Sequence, residues 1–154
     1  MRYLLFFSAL CLFLFCHPPY GYAVTTITIA EAQTLTFPTM AIPSSGSAEL
    51  TISPLNSATS GTGQIISGTA SRGTYNLSSQ GSGGLSISID VTGVDGGNPN
   101  VTLDSFRGFY NSQTIDSFPS TTLSLPAKKP GSTPLYIGAT VRANSSVSAG
   151  GYTG

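Results

Sequence analysis

At 154 residues, with six basic residues, six acidic ones and a formal net charge of zero, the chain carries no field of either sign to hold nucleic acid or an anionic membrane surface. Only 8% of the residues are charged and 18 are glycine, a balance often met in disordered chains. Here the apolar residues are β-branched or aromatic and fall in alternating runs, which argues for sheet instead.

Residues 1–23 read as a signal peptide. Arg2 supplies the positive start, "LLFFSALCLFLFC" an apolar run, and "HPPYGYA" a helix-breaking end with Gly21 and Ala23 at the −3 and −1 positions of a cut. The run falls short of the roughly 18 apolar residues that a membrane span needs. Neither Cys11 nor Cys16 follows the small residue of a lipoprotein cleavage site. Cleavage after Ala23 removes both cysteines and the only histidine, His17, and leaves a single domain at 24–154. Without Arg2, five basic residues face six acids, a net charge of −1. The mature chain can assemble no Ser-His-Asp or Cys-His nucleophile, no histidine or thiolate zinc site and no disulfide. Its expected destination is the periplasm and then the cell surface or the medium.

The strands follow in order. "TITI" and "TLTF" offer Ile27, Ile29, Leu35 and Phe37; between them "IAEAQ" leans towards helix but is too short to nucleate one. "AELTIS" sets Leu50 and Ile52 against Glu49 and Thr51. "LSISIDV" places Leu85, Ile87, Ile89 and Val91 on one face, and "NVTLDSF" sets Val101 and Leu103 against Thr102 and Asp104. "TTLSL" gives Leu123 and Leu125; "LYIGATVRA" turns Leu135, Ile137, Ala139 and Val141 inward and Tyr136, Thr140 and Arg142 outward. Gly- and Pro-rich turns separate these runs, a pattern that describes an all-β antiparallel sandwich.

Few residues invite chemistry, and no catalytic, cofactor or metal site is expected. The acids Glu31, Glu49, Asp90, Asp95, Asp104 and Asp116 sit mostly at outward strand positions or in turns, where carboxylates are simply solvated. "VDGGNPN", with Asp95, Asn98 and Asn100, reads as a glycine-rich turn rather than a calcium loop. "GTGQIISG" lacks the lysine and following helix of a phosphate loop, and Lys128 and Lys129 are a solvated loop pair. "SFRGFY" is the most aromatic stretch after the leader. Phe106, Arg107, Phe109 and Tyr110 are either core packing at a strand end or a ligand-contact surface for a sugar or protein.

Three blocks in order, "TLTFPTMAIPSSGSAELTISPLNSAT", "ASRGTYNLSSQGS" and "TPLYIGATVRANSSVSAGGYTG", resemble a bacterial family of small secreted all-β domains of unknown function, similar to fimbrial major subunits. The resemblance spans nearly all of 24–154 and brings no catalytic residues. It implies a single immunoglobulin-like or pilin-like β-sandwich. The family pattern continues after Tyr-Thr-Gly with one more alternating strand, so "SVSAGGYTG" is expected to be a turn opening towards a missing strand and the sandwich to be incomplete at its C-terminal edge. It further implies a non-enzymatic structural subunit that assembles by β-strand complementation, with itself, another subunit or a chaperone as partner. "VTTITI" is then a candidate donor strand with Ile27 and Ile29 inserted, or an ordinary first strand of its own domain. The alternative is a monomeric adhesin or carbohydrate- or protein-binding module that uses "SFRGFY".

Overall fold

The computed structural model describes residues 26–80, 85–91, 99–118, 123–125 and 133–147. The expected signal peptide, most of the "VDGGNPN" turn, Lys128 and Lys129, and the closing "AGGYTG" lie outside the described residues. Among those described there are eleven strands and no helix. The organising pair is β8 (Val101–Tyr110) and β11 (Thr133–Asn144), antiparallel from Leu135↔Tyr110 to Ala143↔Val101. With β8 along one edge of β11, the other edge is shared. Its first half, Thr133 to Ile137, pairs with β6 (Gly73–Gln80), and its second half, Thr140 to Asn144, pairs with β3 (Ser47–Ile52).

From this spine β1 (Thr26–Gln33) adds to β6, β4 (Thr59–Ser60) adds to β3, and β9 (Gln113–Ile115) folds back on β8. The two-residue loop of that last hairpin, Asn111 and Ser112, has positive φ at both positions, as a type I′ turn requires. Two small ribbons complete the fold, β2 (Thr39–Met40) with β5 (Ile65–Ser67) and β7 (Leu85–Ile87) with β10 (Leu123–Leu125). Ile87, Ile89, Val91 and Phe118 pack on the large sheet over Leu77, Tyr110, Ile115, Leu135 and Ile137. A large antiparallel sheet with a second small layer on its apolar face fits a β-sandwich.

Of the β11 residues expected inward, Leu135, Ile137 and Ala139 are buried and Val141 half-buried; Ala143, next in the same alternation, is buried as well. Three details differ from the sequence reading. "TLTF" forms no strand but a single bridge, Thr36↔Ser71, while "IAEAQ" joins β1 as extended chain because pairing with β6 outweighs its weak helical leaning. Thr140 points to the outer face as expected, on the side of Arg142, yet is buried there, because Thr51 and Asp104 flank it and its hydroxyl lies 2.8 Å from that of Thr51. Alternation in β8 breaks at a bulge: from Asp104 to Arg107 it spends one residue more than β11 does from Thr140 to Gly138, and Ser105 takes φ +52°. Inward parity therefore changes from Val101 and Leu103 to Phe106, Gly108 and Tyr110.

Gly138 stands where β11 changes partner. A Cβ there would overlap the carbonyl oxygen of Ile52 and lie 2.8 Å from the Pro54 nitrogen, both of them backbone. Close approach of two chains thus requires glycine. Gly138→Ala should cost about 3 kcal/mol or more, a fall in Tm of about 10 °C, read by thermal unfolding.

Tyr110 is only 1% exposed, and its hydroxyl has no hydrogen-bond partner among the described residues. Burial raises its pKa above the ordinary 10.0; the nearby Thr133 side chain, which does not meet hydrogen-bond geometry with the hydroxyl, opposes this to a lesser extent. The folded state thus holds this proton more tightly than the unfolded chain does. The associated stability is complete below pH 10.0 and declines as pH rises towards the raised value. Tyr110→Phe should leave neutral-pH stability unchanged or raise it by about 1 kcal/mol and flatten its alkaline decline, as chemical denaturation across pH 8–12 would show.

Candidate functional site

β1 is one end of the large sheet and pairs, among the described residues, with β6 alone. In its register Ile27 faces Ser79, Ile29 faces Leu77 and Glu31 faces Tyr75. Residues directly opposite in an antiparallel pair point to the same side, so Ile27 and Ile29 lie on the core face beside buried Leu77. The second layer does not reach them: all eight β1 residues are exposed, Ile27 by 40% and Ile29 by 58%. The candidate donor residues are thus together on one edge strand, paired within their own chain and exposed there.

Polar contacts supplement the ladder here. The Thr34 hydroxyl donates to Glu31 Oε1 at 2.6 Å. Burial, and secondarily the charge of Glu31, raises the pKa of Tyr75. A bulge interrupts the pairing between Glu31 and Gln33, where β1 carries one extra residue, Ala32.

The structure divides "SFRGFY" between two faces. Phe106 packs against the core and Tyr110 is within it, while Arg107 is exposed on the opposite side and Phe109 half-buried there. The Phe109 ring stacks on Tyr136 of β11, with centroids 6.5 Å apart and planes at 23°. Only Arg107 and Phe109 of the four could meet a ligand on the outer face.

Sequence reasoning missed Arg72. Its guanidinium carbon lies 3.6 Å from the Tyr136 ring centroid, and Nη1 donates to the carbonyl of Pro54 at 2.8 Å and to that of Leu55. The Arg72 backbone N–H donates to Ser57 Oγ at 3.1 Å. One cation thereby fastens the 53–57 turn to the outer face and completes a row Phe109–Tyr136–Arg72. The available signal was a lone cation between small residues just ahead of an alternating strand. Lower on that face Arg142 bridges Glu49 of β3 and Asp104 of β8, crossing three strands. Among the described residues no three of His, Cys, Asp and Glu gather where they could hold a metal.

Together these features define a class of protein, an antiparallel all-β domain whose candidate contact surfaces are a strand edge and a sheet face. The chain belongs to the DUF4402 family, described as a domain of unknown function, whose model matches residues 27–154. Neither the curated proteins nor the solved structures contain a match.

Arg72→Lys should loosen the 53–57 turn, because an ammonium cannot stack on Tyr136 and serve both carbonyls in the same geometry. A loss of about 1–2 kcal/mol is expected, with faster amide exchange at Ser53 and Ser57, whose N–H groups now bond Ala58 O and Ser53 O at 2.9 and 3.2 Å.

Proposed function

We propose that this chain is a non-enzymatic, exported structural subunit of a bacterial surface assembly, fimbrial or pilin-like in character. It assembles by strand complementation in which β1 of one copy pairs with β6 of the next. The observation that carries this reading is the marginal attachment of β1. Among the described residues the strand is held by one neighbour, and its two isoleucines are 40% and 58% exposed on the core face. Leaving its own β6 therefore costs little buried apolar surface, while the identical ladder is recovered on a neighbour's β6. Where each copy passes β1 on to a further copy instead of trading with one partner, the contact is head-to-tail and an open filament grows.

The test uses the purified full chain. Filaments or ladders resistant to SDS are expected, and in a chain with Cys11→Ser and Cys16→Ser the pair Ile27→Cys and Ser79→Cys, oxidised within the monomer, should abolish them, since the two positions face each other and the disulfide keeps β1 on its own β6. A stable monomer whose behaviour those changes do not alter would overturn the reading.

A second reading has its own observation. Arg107 is exposed beside the Phe109–Tyr136 stack and has no ion-pair partner among the described residues. On that reading the domain is a monomeric adhesin or carbohydrate- or protein-binding module. Arg107→Ala should then abolish retention on a glycan array while leaving the unfolding transition in place.

A further inference from the structure

The exchange described above uses the inner edge of β1, the one that faces β6. We infer that its outer edge is a second pairing surface, taken by β1 of a second copy about a two-fold axis centred on Ile29. This inference does not depend on strand exchange, since the outer edge is the same whether β1 lies on its own β6 or on a neighbour's.

The choice of edge follows from comparing those open among the described residues. β4 offers only Thr59 and Ser60. Behind it the edge of β3 is closed by the chain itself, with Gly63 N–H donating to Glu49 O at 2.8 Å and Glu49 N–H to Thr62 Oγ1 at 3.2 Å. β9 offers three residues, and β8 four, Val101 to Asp104, before its bulge. β1 alone presents eight, about 27 Å of extended chain. A head-to-tail edge contact would need a complementary long edge elsewhere on the molecule. A two-fold contact needs only this one.

Side-chain chemistry fixes the register. Centring on Ile29 sets Ile29 opposite Ile29, Thr28 opposite Ala30 and Ile27 opposite Glu31, all read from TITIAEAQ. Residue 27 of one copy then lies diagonal to residue 29 of the other, within reach across a ladder. Four isoleucines thus form one patch, continuous with Leu77 on both sides, and the core faces of the two copies lie on one side of a single sheet. A shift by one residue would place the isoleucines of the copies on opposite faces. Centring on Ala30 instead would set Ile29 opposite Glu31 and Ile27 opposite Gln33, so that no isoleucine faces another directly. Glu31, the one charge of β1, faces no like charge in the chosen register. Seven residues a side, 26–32, against the roughly 20–30 of a standard interface make this a weak, dissociable dimer.

The experiment uses the full chain with Cys11→Ser and Cys16→Ser, so that introduced cysteines are the only thiols. Sedimentation velocity from 5 to 500 μM should show a concentration-dependent dimer. Ile29→Lys, a charge placed on an exposed position, should raise the dissociation constant at least tenfold with no change in Tm. Ile29→Cys alone should oxidise to a disulfide dimer, since the two-fold axis sets position 29 of one copy opposite position 29 of the other. Strand exchange reads out separately. An equimolar mixture of Ile27→Cys and Ser79→Cys chains links into heterodimers only if β1 of one copy lies on β6 of another. A heterodimer without the Ile29→Cys homodimer would keep the proposed function and overturn the two-fold edge contact. A monomer at 500 μM, or a dimer indifferent to Ile29→Lys, overturns it equally.

Discussion

Everything in this fold depends on one strand edge being divided between two partners. β11 gives one edge wholly to β8 and splits the other between β6 and β3, which meet at Gly138. Through that division the β6–β1 wing and the β3–β4 wing become parts of one sheet, and their inward residues face one core. The lack of a side chain at residue 138 permits it, since the backbone of Ile52 and Pro54 passes where a Cβ would stand. Arg72 secures the crossing from outside by capping the carbonyls of Pro54 and Leu55.

Much of this was legible in the sequence, and the exceptions have physical causes. The inward sets of β3 and β11, and the packing of Ile87, Ile89 and Val91, follow from period-2 alternation because each strand has one face on the core. β8 defeats the same logic halfway, because a left-handed Ser105 inserts a residue that no composition signal marks. Thr36 shows a different limit: "TLTF" alternates well, yet its neighbour across the chain offers one bridge and no ladder. Arg72 and Gly138 were invisible as functional positions because their partners, Tyr136 with Pro54 and Ile52 with Pro54, are distant in sequence.

The candidate surfaces show the same division. Ile27 and Ile29 were identifiable as strand residues, but only the register against Ser79 and Leu77 reveals that they face the core side and are still uncovered. The aromatic stretch was identifiable as a cluster, and the bulge separates it: Phe106 and Tyr110 go to the core, Arg107 and Phe109 to the outer face. A sequence cluster is a surface only when its parity is uniform, and here one extra residue removes that uniformity.

The strand directions carry a mechanical consequence. β1 and β11 are each antiparallel to β6, so they run parallel to one another on either side of it. Tension applied between Thr26 at the start of β1 and Asn144 at the end of β11 therefore pulls the strands along their lengths in opposite senses. The hydrogen bonds of both ladders are then loaded together, in shear, instead of opening one by one as in a zipper pulled from one end. Forced unfolding is governed by the rate of crossing that barrier and not by equilibrium stability. A domain wired this way can be only marginally stable at rest and still resist extension along the axis that joins those two residues.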